Sequence, residues 1–157
     1  MIALAPAMVA APVRASANVH FSFAVQASGD DAFELVTPEG EGRWDPSWHP
    51  RYLTASHSAA GSVFETGRDS GLHVWLVDSV DRESRRIRYV VVRPGAAALT
   101  FDIDVKVLAP RTARVSVRYY AVALTAAQDA AIRDLGIHAD DMAREWQRAF
   151  ERALATK

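Results

Sequence analysis

The chain has 157 residues, half of them hydrophobic and about a quarter charged, which is typical of one globular domain with a sizeable core. Its formal net charge is -1, so overall charge gives no reason to expect binding to nucleic acid or to an anionic membrane surface. The chain has no cysteine, which excludes disulfides, thiol catalysis and cysteine-ligated metal sites.

The N-terminal seventeen residues have some features of a signal peptide. They are small and apolar, and Ala15–Ala17 reads Ala-Ser-Ala, as at a signal-peptidase site. However, no Lys or Arg precedes the apolar run, Pro6 and Pro12 interrupt it, and it is too short to span a bilayer as a helix. We therefore expect residues 1–18 to be a disordered arm, or an extension translated from an upstream start codon. We expect the protein to be cytoplasmic. A signal segment of an exported protein is the alternative.

The first regular pattern follows this segment. Residues 19–25 alternate large apolar side chains with smaller or polar ones, which predicts a strand with one buried face. Capping side chains in residues 28–31 then precede a short predicted helix at 32–36, which Thr37 and Pro38 end. Residues 38–52 hold three prolines and two tryptophans and are predicted to form a loop or a very short helix.

The middle of the chain predicts an antiparallel sheet. Turn residues separate five segments rich in β-branched and aromatic side chains, and the connections are short enough for each strand to pair with its predecessor. The predicted strands are residues 61–68, 72–80, 86–93, 99–108 and 112–124.

Helical patterns follow the last strand. Thr125 and Gln128 have the spacing of a capping box, and Gly136 is predicted to end that helix in a left-handed conformation. In residues 138–154, apolar side chains recur at intervals of three and four, so this helix has one apolar face. That face includes Trp146, which we expect to be buried against the sheet.

The order of these elements resembles the helix-grip fold of the START-like (SRPBCC) superfamily, in an uncharacterised bacterial branch. Three stretches carry the resemblance: EGRWDPSWHP at 41–50, GSVFET at 61–66 and IRYVVVRPG at 87–95. The resemblance covers residues 19–155. It implies an α+β fold in one domain, with two short helices after the first strand and a curved antiparallel sheet wrapped around a long C-terminal helix. It implies no catalytic residue, because lipid carriers, hormone receptors, aromatase/cyclases and co-chaperones of this superfamily share no catalytic motif.

Side chains on the inward faces of these elements are the main candidates for a binding site. Aromatic residues at such positions commonly pack a core. In a helix-grip fold they could instead line a cavity between sheet and helix, where Tyr89 and Tyr119 would offer polar tips, and both interpretations remain open. The candidate cavity-lining residues are Trp44, Trp48, Trp75, Tyr89, Phe101, Ile103, Val117, Tyr119 and Trp146.

Some charged residues also need an interpretation. Glu39 and Glu41, beside the first tryptophan of the loop, are the best polar candidates near the mouth of such a cavity. Asp102 and Asp104 lie opposite the apolar face of their strand and are expected to be solvated, with arginines facing them across the sheet. These arginines are expected among Arg88, Arg114 and Arg118.

No metal ion or other cofactor is expected. The five histidines lack the spacing of a metal site; His49 and His57 share a loop region and could converge on a third ligand, but scattered surface histidines are the simpler interpretation. The sequence contains neither a G-x-S-x-G nucleophile motif nor a phosphate-binding glycine loop.

These observations lead to three alternative functions. We expect a protein without catalytic activity that binds or carries a small, largely apolar ligand such as a lipid, polyketide or aromatic compound. The alternatives are an enzyme similar to polyketide cyclases or dehydratases, and a co-chaperone-like interaction module. A cavity polar group with a perturbed pKa would favour the enzyme, an unbroken apolar lining the carrier, and a large exposed apolar patch the interaction module.

Overall fold

An antiparallel sheet of seven strands forms the body of the computed structural model, which describes residues 12–67 and 71–156. The strands are β1 Ser16–Val25, β2 Arg51–Tyr52, β3 Val63–Thr66, β4 His73–Asp81, β5 Arg86–Arg93, β6 Ala97–Ala109 and β7 Thr112–Ala123. Their order across the sheet is β1-β7-β6-β5-β4-β3-β2, so the first strand pairs with the last while the others form a meander. The predicted antiparallel meander is confirmed.

Short helical segments connect β1 to β2 and β7 to the end of the chain. The first connection contains α1 (Gly29–Glu34) and a 3-10 turn (Glu41–Arg43). The second contains a 3-10 turn (Ala126–Gln128), α2 (Asp129–Asp134), another 3-10 turn (Leu135–His138) and the long helix α3 (Ala139–Ala155).

Helix α3 packs its apolar face on the inner face of the sheet, chiefly on β1. Phe23 meets Phe150 edge to face with ring centroids 5.2 Å apart, and Phe21 meets Trp146 in the same way at 5.5 Å. Side chains alternate between the two faces of the sheet along β1 and β7. Those on the inner face are buried in β7 and, from Val19 onward, in β1. The predicted α+β helix-grip fold, a curved antiparallel sheet with a long C-terminal helix, is confirmed.

The start of β1 differs from the prediction. The strand begins at Ser16, three residues before the predicted strand and within the predicted arm, because Ser16 and Ala17 pair with Val122 and Ala121 of β7. Residues 16–18 lack the alternating large apolar side chains that mark a strand, so their pairing depends on a partner about a hundred residues away. Residues 1–11 lie outside the described residues, and the expectations for them remain predictions.

The region between β7 and α3 also differs from its prediction. The Thr125 side chain does not cap a helix; its hydroxyl donates to the Gly95 carbonyl at 3.4 Å. Gly136 lies inside the second 3-10 turn, without a positive φ, and the chain continues through it into α3. Glycine serves equally in a left-handed cap and in a tight turn, so the residue type alone does not distinguish the two.

Two further elements have boundaries that differ from the predicted ones. Helix α1 begins at Gly29, three residues before the predicted start, because the Ser28 side chain caps it by accepting from the Asp31 backbone N–H at 3.1 Å. Strand β3 is limited to Val63–Thr66, whereas residues 61–68 were predicted; Gly61 and Gly67 both have positive φ angles, which end the extended segment on either side. Residue 68 lies outside the described ranges.

Candidate ligand-binding site

The burial of α3 changes along its length. In its second half, Ala149, Phe150 and Ala153 are buried, whereas the apolar residues of its first half, including Met142 and Trp146, are only half-buried. The second half therefore packs tightly on the sheet, whereas the first half keeps accessible apolar surface.

Residues on the inner face of the sheet keep accessible surface in the same way. Leu99 and Phe101 of β6 are half-buried, although they share the inward alternation of Ile103, which is buried. Since the outward positions of this strand carry Thr100 and Asp102, the accessible surface of Phe101 lies on the inner face. We use the name inner groove for the half-buried residues that pack against the core here, namely Trp75, Leu99, Phe101, Met142 and Trp146.

Aromatic contacts connect the sides of the inner groove. Trp75 and Phe101 stack at 5.8 Å, and Phe101 contacts Tyr119 at 5.0 Å. The Tyr119 hydroxyl donates to the Met142 Sδ at 3.3 Å, which links β7 to the first half of α3. Because a thioether is a weak acceptor, this hydroxyl keeps most of its capacity to bind another group.

Three aromatic side chains fix the connection between α1 and the 3-10 turn to the body of the protein. Each donates a hydrogen bond to a backbone carbonyl that no helix or strand satisfies. The bonds join Trp44 Nε1 to Leu35 O at 2.6 Å, Tyr89 Oη to Val36 O at 2.7 Å and Trp48 Nε1 to Pro38 O at 2.7 Å. The Tyr89 hydroxyl, expected as a free polar tip, is thus already engaged in a structural bond.

Gly40 allows the same connection to fold back closely on α1. A Cβ atom at this position would lie 1.7 Å from the Glu34 carbonyl oxygen, which no side chain can tolerate without a backbone shift. This close approach turns the chain so that the next residue, Glu41, points towards the interior.

Glu41 is a buried acid. Its exposure is 6%, and its side chain makes no hydrogen bond or ion pair with any residue in the described ranges. Burial, and secondly the neighbouring Asp45 carboxylate, raise the pKa of Glu41 well above its usual range. Burial, followed by the Glu41 charge, likewise raises the pKa of Tyr89.

Aromatic rings pack on one another beside this connection, and two of them, Trp48 and Tyr89, are bonded to it. Trp48 packs edge to face on Trp75 at 5.2 Å and on Phe64 at 5.6 Å, and Tyr52 contacts Phe64 at 5.6 Å. Burial, then the charges of Glu39 and Glu41, raise the pKa of Tyr52. We call Trp48, Tyr52, Phe64, Trp75 and Tyr89 the aromatic box; it shares Trp75 with the inner groove.

The nine candidates chosen from the sequence fall into two groups. Trp44, Trp75, Phe101 and Trp146 are half-buried and keep accessible surface, which corrects the expectation that Trp146 is buried. The others are buried, namely Trp48, Tyr89, Ile103, Val117 and Tyr119.

The structure adds residues that the sequence candidates did not include. Leu99 precedes Phe101 in the same alternation, and Met142 precedes Trp146 on the same helix face, so periodicity could have identified both. Phe64 lies in the predicted strand at 61–68 and gave no signal of its own. Of the two acids proposed for the mouth of a cavity, Glu41 is buried, whereas Glu39 is exposed and contacts the Nδ1 of His57 at 3.3 Å.

The outer face of the sheet is charged. Arg88 lies 3.6 Å from Asp102, and Arg118 lies 3.7 Å from Asp104, so the prediction that arginines face these aspartates is confirmed. A shallow groove of about 280 Å³ on this face is lined by residues that include His20. Its charged walls contrast with the aromatic lining of the inner face.

Within residues 12–67 and 71–156, no group of three or more His, Asp or Glu side chains is placed to hold a metal ion. In the same ranges, no helix is long and apolar enough to cross a membrane.

Comparisons with known proteins identify the fold. No protein-family model matches the chain, and no curated protein matches its sequence. Norcoclaurine synthase from Thalictrum flavum is similar in structure, with a TM-score of 0.68 at 11% identity over 100% of this chain and 99% of that one. A protein from Thermobifida fusca solved by NMR matches with a TM-score of 0.61 at 19% identity, over 84% of this chain and 94% of that one.

The di-domain ARO/CYC protein BexL matches with a TM-score of 0.65 at 16% identity, over 88% of this chain and 46% of that one. Because these sequence identities are low, the similarity shows a common fold only. The chain therefore has the helix-grip fold that these structures share, as its resemblance to the START-like superfamily implies.

Proposed function

We propose that the protein binds or carries a small, largely apolar molecule in the inner groove. The observation that carries this proposal is the half-buried state of Trp75, Phe101 and Trp146, whose rings point inward and yet keep accessible surface. Covering such surface with a ligand contributes roughly 25 cal/mol for each Å² of apolar area removed from water.

The chemistry of the lining supports the ligand class. Aromatic and aliphatic side chains with a few polar groups are typical of sites for small molecules. A solved structure of norcoclaurine synthase, which has the same fold, is a complex with dopamine and hydroxybenzaldehyde. Lipids, polyketides and aromatic compounds are the ligand classes to test here, with lipid transport as one form of the carrier role.

A thermal-shift and fluorescence screen tests this proposal. A panel of fatty acids, polycyclic aromatics and polyketide-like compounds should contain members that raise the Tm, because the unfolded chain has no site. The same compounds should quench tryptophan fluorescence. Leu99→Trp should fill the inner groove and weaken binding at least about tenfold, whereas Val92→Trp, on the outward face of β5, should leave it unchanged.

Two results would contradict the proposal. One is a panel in which no compound shifts the Tm or quenches fluorescence. The other is equal loss of binding in Leu99→Trp and Val92→Trp, since the two positions lie on opposite faces of the sheet.

One observation favours a second candidate, an enzyme of the cyclase or dehydratase type. Glu41 is a buried acid whose pKa is raised well above its usual range by burial and then by Asp45, and such groups are suited to general acid–base catalysis. If the protein turns over a polyketide-like substrate, Glu41→Gln should abolish turnover while binding persists. Unchanged turnover in that variant would exclude Glu41 as the acid or base.

A further inference from the structure

The outer face of the sheet carries apolar side chains beside its ion pairs. One level of this face, from β4 to β7, presents only aliphatic residues, in the order Val74, Val92, Ala98 and Val122. The next level presents Leu76, Val90, Thr100 and Tyr120. We call these two levels the apolar band. Val92 is 39% exposed and Tyr120 is 42% exposed, although the core lies on the other face. A continuous apolar surface of this kind indicates a contact with another macromolecule.

A row of alternating charges lies next to the apolar band. Across β4, β5, β6 and β7 it consists of Asp78, Arg88, Asp102 and Arg118, in that order. Arg88 lies between its neighbours, 3.4 Å from Asp78 and 3.6 Å from Asp102. The side chains of this charged row are 40% to 63% exposed. Such exposed pairs contribute little to the stability of a single chain, and their charges remain accessible to a second molecule.

The order of signs in the charged row is complementary to itself. A two-fold axis parallel to the strands, between β5 and β6, places β5 of one copy over β6 of a second copy, and β4 over β7. Arg88 then faces Asp102 of the second copy. The same rotation brings Asp78 over Arg118, so every member of the row meets the opposite charge. Each level of the sheet also meets itself, which places the apolar band on the apolar band.

We propose that the outer face of β4 to β7 docks on the same face of a second copy of this chain, in a two-fold dimer. Its contact is isologous, with the apolar band and the charged row of each copy covering those of the other. Sheets commonly pack face to face with their strands within about 30° of each other. The inner groove lies on the opposite face, so the dimer leaves it accessible and the inference is independent of the proposed function.

The balance of charges favours a second copy over a different protein. The charged row holds arginines and aspartates in equal number, so it creates no net field that would attract an acidic or a basic partner. A copy of the chain, in contrast, always supplies the matching order of signs. Complementary charges of this kind fix the register of two surfaces.

The size of the face predicts a dimer in exchange with the monomer. With strands about 4.8 Å apart and outward residues about 6.8 Å apart along each strand, the outer face of β4 to β7 measures on the order of 500 Å². Two such faces bury roughly 1,000 Å², the lower limit for a specific interface. The curved sheet meets its copy first at β5 and β6, where Val90 and Val92 lie beside Arg88 and Asp102. We therefore expect association at micromolar concentrations.

Two charge-reversal variants of the full chain, Arg88→Asp and Asp102→Arg, test the inference by sedimentation velocity from low micromolar to sub-millimolar concentration. In a dimer of either variant like charges face each other, so each alone should self-associate at least about tenfold more weakly than the wild type. An equimolar mixture should dimerise about as tightly as the wild type, because the reversed position of one variant faces the reversed position of the other. The control, Arg133→Asp, makes the same charge change at an exposed position of α2, on the inner side, and should behave as the wild type.

A second pair of variants repeats the test at the outer strands. Asp78→Arg and Arg118→Asp should likewise fail to self-associate alone and dimerise when mixed. This pair decides the question if a substitution at Arg88 or Asp102 prevents folding, which circular dichroism of each variant detects.

Three results would overturn the inference. A wild-type chain that stays monomeric up to sub-millimolar concentration leaves the outer face to another partner or to none. Single variants that self-associate as tightly as the wild type place the contact on a different surface. Folded single variants that stay monomeric even when mixed show that these charges do not face each other across a two-fold axis.

Discussion

Phe150 and Trp146 lie one turn apart on the same face of α3 but differ in burial. Phe150 is fully buried and contacts Phe23 and Trp44, whereas Trp146 is half-buried at the inner groove. Phe150→Ala should therefore destabilise the protein by about 3–5 kcal/mol. Trp146→Ala should cost about half as much, because less of its apolar area is removed from water. Urea unfolding measures both values, and an equal or larger loss for Trp146→Ala would contradict the described packing.

Glu41 should make stability depend on pH. Burial, and then Asp45, raise its pKa in the folded state above that in the unfolded chain, so the folded protein binds this proton more tightly. The stability that Glu41 contributes is complete below the pKa of the unfolded carboxyl and is lost as the pH rises through the folded pKa.

Glu41→Gln removes this dependence. The Tm of that variant should rise relative to wild type as the pH increases from about 4 to 8. Glu39→Gln, which changes an exposed carboxyl two residues away, should show no comparable trend. A difference between Glu41→Gln and wild type that is constant across this range would show that the acid does not titrate as a buried group.

At the residue scale, the sequence identifies side chains better than their environments. It indicates Glu41 as a polar candidate because this acid lies close to Trp44 in the chain. Its burial, however, depends on the close approach at Gly40 and on the Tyr89 bond to Val36, which joins residues 53 positions apart. Likewise, the periodicity of α3 indicates which face is apolar, but the degree of burial of Trp146 depends on how far the helix separates from the sheet.

At the scale of elements, the connection between α1 and the 3-10 turn depends on one glycine. Gly40→Ala should destabilise the protein by about 3 kcal/mol or more, since the added Cβ would collide with the Glu34 carbonyl. Gly42→Ala is the matched control, because its Cβ would meet only Trp48 at ordinary contact distance, 3.7 Å. This control substitution should change the free energy of unfolding by no more than about 0.5 kcal/mol. Similar unfolding free energies for the two variants would contradict this packing.

The start of β1 and the residues just before it should contribute to stability, although they fall within the segment expected to be a disordered arm. The Ala15 N–H donates to Asp129 at 2.9 Å, and Ala15 O accepts from the Ala123 N–H at 2.9 Å. A chain that begins at Asn18 should therefore melt about 5 °C below one that begins at Pro12. Equal melting temperatures of the two chains in calorimetry would mean that these contacts contribute nothing to stability.

The elements with strict alternation were predicted most accurately. Strand β5 has the predicted bounds, and β6 and β7 differ from theirs by at most two residues, because large apolar residues alternate throughout. The errors fall where a local pattern is missing or ambiguous, at the small residues of early β1 and at Gly136. The conformation of early β1 is determined by its pairing with a distant strand, and that of Gly136 by the continuation of the chain into α3.

At the scale of the whole molecule, the two faces of the sheet offer different surfaces to a ligand. The outer face carries the ion pairs of Arg88 and Arg118, and its groove of about 280 Å³ is lined partly by charged residues. The inner face presents the aromatic box and the inner groove under the first half of α3. We predict that an apolar ligand binds to the inner face.

The most direct test maps a bound probe on the molecule by NMR. The four tryptophans all lie on the inner side and give separate indole N–H signals, while backbone amides of His20, Thr100 and Arg118 report on the outer groove. Addition of 1-indanone should shift the indole signals of Trp75 and Trp146 and leave the three outer amides unchanged. Unperturbed indole signals, or shifts confined to the outer amides, would contradict the central claim that the interior between sheet and helix is the binding site.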